Sequence, residues 1–149
     1  MRCVKAILEH ILMMSHILLV DDDQDIICSF RSILEDEGYV VHAANDADEA
    51  VKIIRDNEIH LAIMDYVLPK ARGDKLAETL VTINQKLKII FVSGYLEVLD
   101  AINRFDCGVC GAFLKPVNPE ILLTQVRSLE VDPLHAEQLM YPYMVPVKG

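Results

Sequence analysis

The stretch His16-Ile-Leu-Leu-Val-Asp-Asp-Asp-Gln-Asp-Ile26 decides the fold. It opens with five residues, His16–Val20, rich in Leu and β-branched side chains, and stops at three consecutive aspartates, Asp21, Asp22 and Asp23. A short apolar run of this kind reads as a strand buried on both faces. Beyond the aspartates the period changes: Ile26, Ile27, Phe30, Ile33 and Leu34 recur at helical spacing, and Gly38 ends the helix. Asp23 or Asp25 is placed to cap that helix. A buried strand, an acidic turn and an amphipathic helix make one βα unit.

Working outward, the same alternation repeats four times. Tyr39–Ala44 is the second strand. Asn45 or Asp46 caps the next helix, with Glu49 as a capping-box partner and Ala47, Ala50, Val51 and Ile54 as its apolar face. His60–Met64 is the third strand, ending at Asp65. A loop with Pro69 and Gly73 leads into a helix carrying Leu76, Leu80 and Ile83. Lys88–Val92 is the fourth strand, ending at Ser93 and Gly94, and a weaker helix spans about Leu96 to Phe105. Gly111–Leu114 is the fifth strand, ending at Lys115-Pro116. Asn118 then caps a helix with Pro119 at its first position and Ile121, Leu122, Val126 and Leu129 on its apolar face. Five strands alternating with five helices, joined by right-handed crossovers, predict an α/β doubly wound parallel sheet in three α/β/α layers.

Bulk properties agree. The 149 residues suit one domain, and 52% hydrophobic residues can build a core. Acidic residues outnumber basic ones 23 to 14, for a net charge of −9, which disfavours direct binding to nucleic acid or anionic lipid. Four cysteines (Cys3, Cys28, Cys107, Cys110) form no disulfide framework, and no secretory signal or membrane-length apolar run is present. A cytoplasmic location is expected. The Cys107–Cys110 spacing lacks a second ligand pair and leads into a strand, so neither a redox nor a zinc role is assigned. Residues 1–14 read as an N-terminal extension. Val4, Ile7, Leu8, Ile11 and Leu12 have helical spacing, while Met14 suggests an upstream translation start; a partner or dimer helix is the other reading. The domain is expected over 15–131, with a proline-bearing tail over 132–149.

Chemistry concentrates at one end. In open parallel sheets ligands bind outside the carboxyl ends of the strands. With a strand order of 2-1-3-4-5, four neighbouring strands end there in Asp21-Asp22-Asp23, Asp65, Ser93 and Lys115. Gathered carboxylates repel one another, and a hard divalent cation relieves that cost. A carboxylate is also a competent nucleophile toward phosphorus. Lys115 offers a mobile positive charge for a phosphoryl oxygen, Ser93 a hydroxyl for another, and Gly94 leaves room for the group to enter.

Taken together, HILLVDDDQDI, IMDYVLPKARGD, IIFVSGY and FLKP resemble, in order and spacing, the receiver domain of two-component response regulators, over about Ser15 to Leu129. The resemblance implies a flavodoxin-like fold, dependence on Mg2+ (or Mn2+), and a partner sensor histidine kinase or phosphotransfer protein. It makes Asp65 the phospho-acceptor and Asp22 a direct metal ligand. Asp21 would reach the metal largely through water, and Val67 would lend its backbone carbonyl. Ser93 becomes the hydroxyl switch residue and Lys115 the motif lysine, its peptide to Pro116 often cis. It also implies a readout surface on the fourth helix, fifth strand and fifth helix, with output through another protein, a phosphorelay or a homodimer, since no DNA-binding segment is evident. The chain departs from the pattern three residues before Lys115, where an aromatic is usual and Ala112 stands, with Phe113 beside it. Val67 and Tyr95, two residues after Asp65 and Ser93, imply slow hydrolysis of the acyl phosphate. The competing reading is a phosphorylation-independent interaction module of the same fold, favoured only by Ala112. Enzymatic readings are weaker: a dehalogenase-type phosphatase needs an aspartate at position 67, and three aspartates would repel a flavin phosphate.

Overall fold

The computed structural model describes residues 16–103 and 108–129. Five strands, β1 (His16–Val20), β2 (Val40–Ala44), β3 (Leu61–Asp65), β4 (Lys88–Ser93) and β5 (Val109–Leu114), form one parallel sheet in the order β2-β1-β3-β4-β5. Helices α1 (Gln24–Asp36), α2 (Ala47–Asp56), α3 (Gly73–Ile83), α4 (Glu97–Ile102) and α5 (Pro119–Ser128) cover its two faces. This is the expected flavodoxin-like architecture. The extension over 1–14, the tail over 132–149, Cys3, Cys107 and the end of the fourth helix at Phe105 lie outside the described residues. Cys28 and Cys110 are free thiols. Among the described residues no helix is long and apolar enough to cross a membrane.

Strand alternation sorts the core into two layers. Ile17, Leu19, Ile63, Ile90, Val92 and Phe113 face α1 and α5, where Ile27, Phe30, Leu34, Leu122, Leu123 and Val126 meet them. Leu18, Val20, Ala62, Met64, Phe91 and Ala112 face the other way, against Ala50, Ile54, Leu76, Ala77, Leu80 and Val98. Both faces are dry, so every residue from Ile17 to Val20 is at most 1% exposed. Each such aliphatic side chain contributes about 1.5–3 kcal/mol of burial.

The caps follow the local chemistry. Asp23 accepts the Asp25 amide at the start of α1, and Asn118 accepts the Glu120 amide at the start of α5 with Pro119 at the first turn. Asp46 caps α2 by accepting the Glu49 amide, while the Glu49 carboxylate reaches back to the Asn45 amide. The reciprocal bond therefore lands one residue before the cap. Gly38 follows α1 with φ of 97°, a left-handed turn that costs a glycine little. β5 begins at Val109, two residues earlier than expected, because an irregularity in register at Ile89/Ile90 lets the segment from Gly108 pair with β4.

His60 just precedes β3. Its amide donates to the His16 carbonyl, and its ring lies mostly buried with Nδ1 lacking a hydrogen-bond partner among the described residues. Burial pushes its pKa down from the ordinary histidine value; Glu58 pulls upward and His16 downward. A histidine with a depressed folded pKa is held neutral, so its contribution is lost as pH falls through the ordinary value of about 6.5. Unfolding free energy is expected to fall between pH 7.5 and 5.5, and His60→Gln should flatten that slope. Urea titrations across the range check it; an unchanged slope in the variant would refute the assignment.

Candidate functional site

Asp21 follows β1, Asp65 closes β3, Ser93 closes β4 and Lys115 follows β5. Because β1, β3, β4 and β5 are neighbours, these side chains gather over one edge of the sheet. The Lys115 ammonium donates to Asp21 Oδ2 at 2.8 Å and to Asp65 Oδ2 at 2.9 Å. The other oxygen of each carboxylate is held by a backbone amide: Asp21 Oδ1 accepts from Asp23 at 2.9 Å, and Asp65 Oδ1 from Val67 at 3.0 Å. Both carboxylates are oriented from two sides, and their side chains are 6% and 10% exposed. Asp22 is exposed, yet one carboxylate oxygen each from Asp21, Asp22 and Asp65 lie within 4.8 Å of one another.

Burial raises the Asp21 carboxyl above its usual range, although the Lys115 hydrogen bond pulls the other way. Burial alone would lower the Lys115 ammonium. Its bonds and attraction to Asp21 and Asp65 outweigh this and leave it raised. The two shifts differ in what dominates: desolvation for the carboxyl, pairing for the ammonium.

Three carboxylates and one ammonium leave the site with a formal charge of −2 when all are ionised. The donors are all oxygens, and one of the three carboxylates is open to solvent. This set fits a hard divalent cation that keeps some of its waters.

Asp21, Asp22, Asp65 and Lys115 are thus brought together as expected. Ser93 is fully buried at the end of the strand next to β3, and its hydroxyl accepts the Tyr95 amide at 3.1 Å. Val67 presents its amide to Asp65, with its side chain 45% exposed. The Lys115–Pro116 peptide is cis, and the Lys115 amide donates to the Ser93 carbonyl. That bond fixes the lysine's backbone to the end of β4.

Two features escape a reading of spacing alone. Gly73, at the start of α3, donates its amide to the Tyr66 carbonyl at 2.6 Å and presses on the backbone that carries Asp65. Its only sequence signal is a glycine between the polar residues Arg72 and Asp74. Tyr66 is buried beside the acceptor, edge-on to Phe91 with ring centroids 5.5 Å apart, and its hydroxyl accepts a bond from Arg72 at 3.2 Å. Phe91 in turn pairs in register with Ala112. Phe113 faces the opposite layer, toward α1 and α5. It therefore cannot take over an aromatic role at the Ala112 side without turning through the sheet.

A family model described as the response regulator receiver domain matches residues 17–127. The chain is 33% identical over 122 residues to the alginate biosynthesis transcriptional regulatory protein AlgB of Pseudomonas putida, a match covering 80% of this chain and 27% of that protein. It thus spans about a quarter of that relative's length. Among solved structures, it is similar to a CheY-like response regulator receiver domain protein from Methanospirillum hungatei (33% identity, TM-score 0.73, covering 84% of this chain and 98% of that one). It is also similar to the response regulator TrrA of Thermotoga maritima, solved in complex with Mg(2+)-BeF (26% identity, TM-score 0.68, covering 78% and 99%).

Proposed function

We propose, from the premise that this chain belongs to the response regulator receiver domain family, that it accepts a phosphoryl group on Asp65 and changes partner binding in response. The observation that carries this reading is the Lys115 ammonium bridging Asp21 and Asp65 at 2.8 and 2.9 Å over the carboxyl end of the sheet. A surface lysine at a strand end would not be held between two carboxylates, each also bound to an amide.

In the transfer, a carboxylate oxygen of Asp65 forms a bond to phosphorus while the donor's bond to phosphorus breaks. The electron pair stays on the leaving imidazole of a phosphohistidine. Asp21, Asp22, Asp65 and the Val67 carbonyl would hold Mg2+ or Mn2+, which would neutralise charge on the phosphoryl oxygens. TrrA, a relative of the same fold, was solved with Mg(2+)-BeF, which supports that role. Lys115 exchanges its Asp65 bond for a phosphoryl oxygen. The Ser93 hydroxyl leaves the Tyr95 amide for another, and this exchange is the local change that a two-state fold reads out. The Val67 amide keeps Asp65 aimed at the donor.

The unit carrying this activity is residues 15–131, in the cytoplasm, served by a sensor histidine kinase or phosphotransfer protein. The readout face is α4, β5 and α5, toward a protein partner or a second copy. Ala112 supports a readout without the usual aromatic, led by Ser93.

The test is intact mass after incubation with acetyl phosphate and magnesium. Wild type is expected to gain one phosphoryl group, and Asp65→Ala and chelated samples none. With Val67 and Tyr95 flanking the site, the adduct should persist for minutes or longer. A half-life of seconds removes the slow-hydrolysis reading; no gain in the wild type at any magnesium concentration favours the phosphorylation-independent module.

A further inference from the structure

Three histidines share one face across three adjacent strands, His16 and His60 at the end away from Asp65 and His42 midway along its strand. His42 stands in β2, His16 opens β1, and His60 continues the ladder of β3, its amide bonded to the His16 carbonyl. The register pairs Leu18 with His42, so His42 sits diagonally across from His16, on the face shared with Leu18, Val20 and Ala62. The two imidazoles lie 22° from parallel with centroids 5.4 Å apart, and His16 Nδ1 is 3.2 Å from His42 Nε2. Both side chains are partly exposed.

We propose that His16 and His42 form a bidentate site for a transition-metal cation of the zinc or nickel class, remote from the acidic cluster. Imidazole nitrogens bind such ions at about 2.0–2.1 Å, so two ligands in cis-octahedral to tetrahedral coordination stand about 2.9–3.4 Å apart. The observed 3.2 Å falls in that window. Without metal, one ring donates a single N–H to the other, leaving one proton between two nitrogens. Metal binding needs that proton only to move to the far nitrogen of the same ring, a tautomer change with no net release, before the two lone pairs turn onto the ion. Among the described residues the only three-ligand group is Asp21, Asp22 and Asp65. Water therefore completes the sphere here, and His60 stands by as the neighbouring imidazole. The site offers borderline imidazole nitrogen where the acidic cluster offers hard oxygen, so nickel favours the first and magnesium the second. A bound ion would tie the middle of the edge strand β2 to the start of β1.

The experiment is a Ni2+ titration of the untagged full chain in excess Mg2+, followed in amide-resolved NMR spectra. Paramagnetic broadening is expected first around Ile17, Val41 and Ala43. His42→Asn or His16→Asn should weaken nickel binding by at least about tenfold. Since the localisation is read in the wild type, it stands even if a histidine variant folds poorly. Broadening centred instead on Asp21 and Asp65 or on Cys28 or Cys110, binding indifferent to both histidine substitutions, or no binding overturns the proposal.

Discussion

Lys115→Ala is expected to lower the unfolding free energy by about 2–3 kcal/mol near pH 7 in metal-free buffer. Removing one partner of a fully buried ion pair costs about 3–5 kcal/mol because the other charge is left unpaired. Lys115 is 20% exposed, so solvent screens part of that cost, but two carboxylates rather than one lose their counterion. The pH dependence separates this account from simple loss of packing. In the wild type, burial lowers the Lys115 ammonium, and pairing with Asp21 and Asp65 more than reverses it, so its pKa is raised above 10.5. A cation raised in this way contributes stability that is fully present below the ordinary lysine value and lost only as pH rises through the folded one. Asp21 is raised by burial despite the restraint of Lys115, so the fold gains from its protonation as pH falls. Removing Lys115 removes that restraint. The variant should then lose less stability than the wild type on acidification from neutrality, so the gap between them should narrow. Urea unfolding at several pH values in the presence of chelator measures both quantities. A gap under about 0.5 kcal/mol at neutrality, or one that widens in acid, contradicts the assignment.

Gly73→Ala should be comparably severe for a different reason. A Cβ placed there would stand 2.6 Å from Tyr66 Cα, 2.7 Å from the Asp65 carbonyl oxygen and 2.8 Å from the Tyr66 carbonyl oxygen. All three are backbone atoms, which cannot rotate aside as a side chain can. Relief requires α3 to withdraw or the Asp65–Tyr66 peptide to shift, and overpacking of this kind costs about 1–3 kcal/mol. Either movement also strains the 2.6 Å bond from the Gly73 amide to the Tyr66 carbonyl and disturbs the aim of Asp65. Phosphoryl uptake from acetyl phosphate should therefore slow along with the loss of stability. Gly94→Ala is the matched control, since a Cβ there meets nothing within 4 Å. Its unfolding free energy should stay within about 0.5 kcal/mol of wild type. Equal stability losses in both variants would show that close backbone approach is not the cause.

Much of this molecule was legible in one dimension. The run His16–Val20 against Asp21–Asp23 announced a strand buried on both faces that ends in acid, and β1 has those bounds. Asn45 or Asp46, and Asn118 with Pro119, marked helix starts, and the structure puts the caps at Asp46 and Asn118. Such features are local: a burial period, a cap or a turn depends on residues within a few positions of one another. The candidate site was legible for a related reason. In a parallel sheet all strands end on the same side, so residues at the ends of neighbouring strands must converge once the order is known.

By itself, then, the sequence determined the alternation of elements, the two-faced sheet and the identity of the residues at its carboxyl edge. The tertiary structure decided what those residues do to one another. Lys115 and Asp21 are separated by 94 positions, and no local pattern states that the ammonium sits between Asp21 and Asp65. Only the packed sheet decided that Ser93 is turned onto the Tyr95 amide, and that Phe113 and Ala112 look to opposite layers. It also decided that Gly73 touches the acceptor's backbone and that His16 meets His42 diagonally across a strand pair. The reason is physical: propensity and periodicity are encoded between near neighbours in the chain, whereas hydrogen-bond direction, desolvation and close approach depend on register and distance between segments that are neighbours only in space.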